Sequence, residues 1–378
     1  MKICMLTSTH GPGDGRIFQK EAKSLAKEHE VTILAPSDGS GESITGGIRI
    51  VTVKRPESTA LHPITLLRLL RACLTQDADV YHCHEPDALL IGVLAKYLKG
   101  KRVIYDIHEH WPSEIPFDLR IRNGSLIQRA LSAFVSSAEI ALARRAESTF
   151  AVSESVAARF RERGLEPVIL SNYSITDLDI PYNLDRNGRN LMFMAGNMQS
   201  FHGVGECIEA VSRVRERYPD VSLTLVGNVR EDLSERISES GRNGFITSTG
   251  FLPYREMYEK LNGGTAGLLV FQPTYYNISI GLPNKLFDYM LLGLPVIASD
   301  LPEIRSVVGS ADCGILVDPG SVSEIADAIT YFFDHPEEAR RMGANGRRAV
   351  LEKYNWSRME ADLLQAYRNL DSAPLPSA

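Results

Sequence analysis

The chain has 378 residues, 44% of them hydrophobic and 23% charged, and a formal net charge of −6 at pH 7. That length exceeds one ordinary hydrophobic core and implies two domains, while the acidity excludes the basic footprint of a nucleic-acid binder. Residues 1–175 carry a net +2 and residues 176–378 a net −8, so the N-terminal part is the one suited to an anionic surface. In chain order, short apolar runs fall at 2–8, 31–35, 48–53, 79–83, 102–107, 148–152 and 167–170. Helical periodicity separates many of them, as at 15–27, 84–98, 124–146 and 153–163. Residues 171–189 are polar and aperiodic, with Pro181 inside, and read as a linker. A second series follows, with strands expected near 191–195, 221–226, 244–249, 266–270, 295–298 and 314–317. Helices are expected between them at 203–217, 230–240, 254–262, 283–292 and 321–334, then at 337–352 and 356–370, before a disordered tail. Strand–helix alternation of this kind implies parallel sheets covered on both faces.

Cys4, Cys73, Cys83, Cys207 and Cys313 are scattered without a CxxC pair. They read as reduced, buried thiols of a cytoplasmic protein, not as a disulfide or zinc framework. The apolar opening stops at Thr7-Ser8-Thr9-His10, too early for a signal sequence, so it reads as a first strand. No run approaches 18 apolar residues, so no membrane-spanning helix is expected.

The stretch Ile280-Gly281-Leu282-Pro283-Asn284-Lys285-Leu286-Phe287-Asp288-Tyr289-Met290-Leu291-Leu292-Gly293-Leu294-Pro295 runs from a Gly/Pro loop into a helix closed by a glycine. Pro283 suits the first helical turn, where no N–H is wasted. The free N–H groups of that turn, with the helix dipole, make an anion site suited to a sugar diphosphate. Asp288 lies within reach of the same pocket, where a carboxylate accepts bonds from ribose hydroxyls. Equally, the segment reads as an ordinary crossover helix with a glycine C-cap. His82 and His84 share one strand face, and His108 and His110 repeat the pattern. With Asp106, Glu85 and Glu109 they offer a metal cluster, and so a rival reading as a metal-dependent hydrolase. Asp177-Leu178-Asp179 sits in the linker and reads as a solvated turn.

The 283–298 stretch resembles the nucleotide-binding motif of glycosyltransferase family 4, in the form P-N-K-x-F-[ED]-Y-M-x-x-G-x-P-V-I-A. Further motifs follow the same order: Asp14-Gly15-Arg16-Ile17-Phe18 with its helix, Asp79-Val80-Tyr81-His82-Cys83-His84, Tyr105-Asp106-Ile107-His108-Glu109, and Tyr354-Asn355-Trp356-Ser357 before Tyr367. The resemblance implies an α/β protein of GT-B fold, with two doubly wound Rossmann-like domains facing a central cleft. An N-terminal acceptor-side domain is expected over 1–175, a nucleotide-sugar donor domain over 190–355, and a closing helix over 356–378 that packs back on the first domain. The implied activity is transfer of a hexose from a nucleoside diphosphate donor, UDP or GDP, to a hydroxyl acceptor in polysaccharide, glycolipid or natural-product assembly. The reaction would proceed with retention and without metal or other cofactor, the leaving phosphate taking the acceptor proton. The acceptor would be a sugar, a lipid-linked sugar or a small molecule. The expected location is cytoplasmic, with peripheral membrane contact through the N-terminal domain, where Arg120, Arg122, Arg129, Arg144 and Arg145 bracket an apolar helix.

By position in these motifs, His108 and Glu109 are the candidate catalytic residues. Donor binding falls to Asn197, His202, Gly227, Leu252, Gly281, Leu282, Pro283, Asn284, Lys285 and Asp288. The acceptor side falls to His10, Gly11, Gly13, Asp14, Arg16 and His84. Two departures stand out. The family's E-x7-E acids correspond to Ile280 and Asp288, and its Arg and Lys phosphate clamp to Asn197 and His202. Lys285 is the substitute cation. A GT-B epimerase and a non-catalytic relative of these enzymes are the remaining alternatives.

Overall fold

The structure, a computed structural model, describes residues 1–177, 182–183, 186–230, 233, 237 and 244–372. The chain gathers into two units, Met1–Asn172 with Trp356–Ala378, and Tyr173–Asn355. The polar stretch after residue 172 therefore belongs to the second unit, where Ser174 pairs with Asn355.

The first unit holds β1 (Lys2–Leu6), β2 (Glu30–Ser37), β3 (Gly41–Thr45), β4 (Ile48–Lys54), β5 (Val80–Cys83), β6 (Arg102–Ile107), β7 (Ser148–Ala151) and β8 (Val168–Ile169). Their order is β3-β4-β2-β1-β5-β6-β7-β8. Only β3, an exposed edge strand joined to β4 through Gly46-Gly47, runs antiparallel. β5 and β6 are buried along their whole length, as strands covered on both faces must be. Side chains set the helix starts: Ser125 accepts from Gln128 N at 3.1 Å and Ser153 from Val156 N at 3.2 Å. The last helix, Trp356–Ser372, belongs to this unit. Trp356 Nε1 donates to Ser24 Oγ at 3.0 Å, and Tyr367 bonds His82 Nδ1 at 2.9 Å.

The second unit holds β9 (Asn190–Met198), β10 (Ser222–Val229), β11 (Ile246–Ser248), β12 (Ala266–Leu269), β13 (Val296–Ser299) and β14 (Gly314–Val317). All pairings are parallel, in the order β11-β10-β9-β12-β13-β14. In each sheet the chain steps away from a first strand in one direction and later returns to its other side. The reversal lies between β1 and β5 in one unit and between β9 and β12 in the other. Open α/β sheets bind ligands at that point, beyond the carboxyl ends of the strands.

Several expectations change. The 15–27 helix is a π-helical turn, Ile17–Ala22, continued by Lys23–Leu25. Pro283 is the N-cap of the helix Asn284–Leu291 and not its first residue. One helix, Leu126–Ala143, is long and apolar enough to cross a membrane by length and composition, with 22% of it buried, against the expectation of none. Most of the 230–240 helix, Leu178 and Asp179 of the Asp-x-Asp string, and the C-terminal tail lie outside the described residues. The five cysteines are buried free thiols.

β10 carries an irregularity between Val226 and Asn228, and Gly227 there has φ +123° with its Cβ direction pointing into the Ala195 carbonyl. Gly227→Ala should therefore destabilise the protein by about 1–3 kcal/mol. Urea unfolding followed by circular dichroism measures it, and an unchanged midpoint would refute the constraint.

Candidate functional site

At the switch point of the first unit, the loop after β1 meets the ends of β5 and β6. Glu85, almost wholly buried, anchors the loop by accepting from Thr7 Oγ1 at 2.6 Å, Ser8 N at 2.9 Å and Thr9 Oγ1 at 2.9 Å. Asp14 accepts from the N–H groups of Arg16 (2.8 Å) and Ile17 (3.0 Å), which starts the π-turn. Glu21 N bonds Arg16 O at 3.0 Å, an i to i+5 spacing that sets Glu21 beside the Arg16 guanidinium. Arg16 is buried and fully engaged. Its Nη2 and Nε meet Asp106 Oδ1 and Oδ2 at 3.0 and 3.1 Å, Nη1 donates to Leu170 O at 2.8 Å, and Nε lies 2.7 Å from Glu21 Oε1. His108 Nε2 lies 2.8 Å from Asp106 Oδ2, with His84 Nδ1 behind it at 3.2 Å.

One guanidinium faces two carboxylates here, and they divide. Burial alone would raise Asp106, yet Arg16 and His108 hold it well below the usual carboxylate range. Burial, with the Asp106 charge beside it, pushes Glu21 well up despite Arg16. Burial lowers His82, His84 and His108, so these rings are neutral near pH 7. His10 behaves oppositely: burial acts to lower it, but its bond to Asp14 and the charge of Glu85 lift it to about 8. A charged imidazole thus stands at the mouth of the site, its ring centroid 5.7 Å from that of His108.

The donor atoms of Glu21, His82, His84 and Asp106 lie within 4.8 Å of one another, close enough to suggest a metal. Arg16 already supplies the positive charge in their midst. His110 is not part of the group, because its ring bonds Ser113 Oγ at 2.9 Å. Of the cluster expected from His82, His84, His108 and His110 with Asp106, all but His110 come together, with Arg16 against Asp106.

At the switch point of the second unit, three side chains converge. Lys285 Nζ lies 4.9 Å above the Phe271 ring, and the His202 ring centroid is 5.2 Å from that of Phe271. His202 Nδ1 accepts from Gln199 N at 2.9 Å, leaving Nε2 as its donor. Burial, helped by the Lys285 charge, pushes His202 down to about 3. Burial lowers Lys285 to about 8, although Asp288 acts to raise it. Asp288 is buried, and its Oδ1 accepts from Ser174 Oγ at 2.7 Å and from Tyr258, whose hydroxyl meets that of Tyr254 at 3.0 Å. Asn197 Oδ1 accepts from Asn228 Nδ2 at 3.3 Å, and Asn228 Oδ1 from Phe251 N at 3.1 Å. A cavity of about 500 Å³ lies at the ends of β13 and β14, but Asp300, Asp318 and Glu324 line it, and such charge repels a phosphate.

The family model described as glycosyl transferases group 1 matches residues 178–349, and that of the glycosyl transferase 4-like domain matches 13–171. The chain belongs to glycosyltransferase family 4 and has the GT-B fold. The phosphatidyl-myo-inositol mannosyltransferase of Mycobacterium leprae is 24% identical over 366 residues, covering 95% of this chain and 93% of that protein. Among solved structures, sucrose-phosphate synthase from Thermosynechococcus elongatus matches with a TM-score of 0.76 at 17% identity, over 99% of this chain and all of that one. Anabaena HepE in complex with UDP matches with a TM-score of 0.73 at 15% identity, over 98% of this chain and all of that one.

In this glycosyltransferase the expected residues separate into two kinds. His10, Asp14 and His108 gather at the first switch point, with Gly11 and Gly13 in the same loop. Arg16 and His84 were expected to line the acceptor side, but both are buried behind His108 and bond the groups around it. His202 and Lys285 converge, and Gly281, Leu282, Pro283 and Asn284 lead into the same helix start. Ile280 is buried and apolar, as the missing first acid requires. Sequence reasoning missed Glu21 and Phe271. Glu21 reads as one more polar residue on an amphipathic helix, and Phe271 as core.

Because Glu21 holds a proton when folded that the unfolded chain releases above its ordinary range, stability falls as pH rises. Glu21→Gln removes that slope, so the variant should gain on the wild type between pH 5 and 8, by at most about 1.4 kcal/mol per pH unit. Asp106→Asn leaves Arg16 without its countercharge and should cost about 3–5 kcal/mol. Chemical unfolding across pH checks both, and equal losses in the two variants would refute the division of charge.

Proposed function

We propose that this glycosyltransferase moves a hexose from a nucleoside diphosphate, UDP or GDP, to a hydroxyl acceptor with retention and without a bound metal or cofactor. The carrying observation is Lys285, a desolvated cation at the start of the helix Asn284–Leu291 with no ion pair among the described residues. It takes the place of the family's phosphate clamp, which Asn197 and neutral His202 do not supply. Asp288 is assigned to the ribose hydroxyls, Gly227 and Leu252 to the base, and His108 to the sugar, with Glu109 as its neighbour. In this mechanism the leaving phosphate accepts the acceptor's proton, so the neutral imidazole of His108 is not required as a base. The named ligands of related proteins support the reading: HepE is known with UDP and UDP-glucose, and the mycobacterial relative is named for a phosphatidylinositol acceptor. A lipid-linked sugar, a free sugar or a small molecule fits the acceptor role, in polysaccharide, glycolipid or natural-product assembly.

Protonated Lys285 binds diphosphate and neutral Lys285 does not, so affinity should be flat below about pH 8 and fall up to tenfold per unit above it. Lys285→Arg should hold its affinity across that range, because arginine stays charged. Titration calorimetry with UDP and GDP measures both, and a pH-independent wild type would sink the role of Lys285. Asp288→Asn should weaken nucleoside diphosphate binding by about 1.5–3 kcal/mol; wild-type affinity in that variant would remove Asp288 from the ribose. Protein stripped with EDTA should keep its turnover. Loss of turnover restored by manganese or zinc would overturn the metal-free reading.

A further inference from the structure

The first unit wears its apolar residues on the outside of one helical layer. The helices His62–Thr75, Pro86–Lys99 and Leu126–Ala143 are neighbours in that layer, the second touching both others. In Pro86–Lys99 the exposed positions are Leu90, Leu94, Tyr97 and Leu98, an i, i+4, i+7, i+8 stripe without a charge. In Leu126–Ala143 the exposed positions are Leu126, Ile127, Arg129, Ala130, Ala133, Phe134, Ser137 and Ala141, while Val135, Glu139, Ile140 and Ala143 face inward. Leu126 is 80% exposed and Phe134 69%. His62–Thr75 adds Ile64, Leu67 and Leu74. Thirteen of the twenty large apolar side chains that stand exposed among the described residues fall between 61 and 134. A surface helix of a freely soluble domain carries the reverse pattern, and an apolar patch of this extent marks a contact surface.

The charge around it selects the occupant. Arg120, Arg122, Arg129, Arg144 and Arg145 border the third helix, and Arg68 and Arg71 lie on the first. The sole acid between residues 119 and 146 is Glu139, buried and paired with Arg159. Arg144 and Arg145 spend their guanidinium groups on backbone carbonyls, and no ion pair forms at any of these seven arginines among the described residues. This rim is basic on a chain of net charge −6. We infer that this face docks on an anionic phospholipid bilayer, its leucines and aromatics entering the headgroup boundary and its arginines meeting lipid phosphates. An apolar face bordered by cations is the pattern of a protein that lies on a membrane without crossing it. The inference stands apart from the donor chemistry of the second unit.

Flotation of the full-length protein tests it, with vesicles of phosphatidylcholine alone and of phosphatidylcholine with about one-third phosphatidylglycerol. The wild type should float with the anionic vesicles, fail with the neutral ones, and lose binding in high salt. Leu98→Glu with Phe134→Glu should reduce the bound fraction about tenfold. Both side chains are exposed, so the thermal midpoint and UDP or GDP affinity should be unchanged. Arg144→Gln with Arg145→Gln should lose the preference for anionic lipid. Wild type that ignores anionic vesicles, or a double glutamate variant that floats as well as wild type, would overturn the inference. So would a wild-type dimer in solution that the glutamates convert to monomer without vesicle binding, because a second copy would then cover the face. Loss of nucleotide binding with flotation intact would count against the donor reading alone.

Discussion

The first unit depends on one buried ion pair, Arg16 with Asp106. Arg16 reaches from the turn after β1 to the end of β6 and to the Leu170 carbonyl beyond β8, so a single guanidinium ties three separate strand ends together. Its desolvation is offset by bidentate geometry on Asp106. Because Glu21 sits against the same group, two carboxylates compete for one cation, and burial resolves the competition by leaving a proton on Glu21. The network also orients His108. With Asp106 ionised, its Oδ2 accepts from His108 Nε2, a tautomer assigned from the hydrogen bonds. The Nδ1 lone pair is then the one the ring can offer a hydroxyl. The His108 imidazole is thus held by buried groups behind it.

The second unit solves a different problem with less charge. Its helix start offers backbone N–H groups, but the arginine and lysine usual in the family are absent at Asn197 and His202. His202 cannot become a cation there, since Lys285 stands close enough to depress it further and Gln199 N already occupies Nδ1. The aromatic face of Phe271 supports the Lys285 ammonium without neutralising it. Lys285 is therefore the cation at this helix start, held against an aromatic face. Low dielectric strengthens its field, and the same burial lowers its proton affinity.

The alternation of strands and helices was legible because parallel strands are continuous apolar runs with distinct helical periods between them. β3 was not, since all five residues of Gly41–Thr45 are exposed and carry no apolar alternation; Gly46-Gly47 was the available hairpin signal. At the site, motif position singled out His10, Asp14 and His108 in segments that follow strands, and Lys285 at a helix start. Their roles were not legible. Arg16 and His84 stand in neighbouring motifs of the same series as that of His108, yet both are buried behind it. Asp288 was read as a ribose ligand from its place in the motif, but that Ser174 and Tyr258 bond one of its oxygens was not legible, since it needs residues 114 and 30 positions away. Pairings that distant leave no local pattern.

Periodicity also carries no sign. Leu90, Leu94 and Leu98 repeat at helical spacing, and so do Ala88, Ile91 and Ala95 on the opposite face of the same helix. Sequence alone describes a helix apolar all round, which for a covered α/β layer reads as core. Only the sheet decides which stripe is inside, and it takes the one that holds Ala88, Gly92 and Ala95 with Leu89, Ile91 and Val93. Gly92 packs against Cys83 on β5, where any Cβ would collide, so the helix approaches the sheet closely at that point while Leu90, Leu94 and Leu98 are turned outward. Close packing within the unit is thus what leaves the large apolar side chains on its surface, and an exposed face that arises from the fold's own steric demands persists unless something covers it.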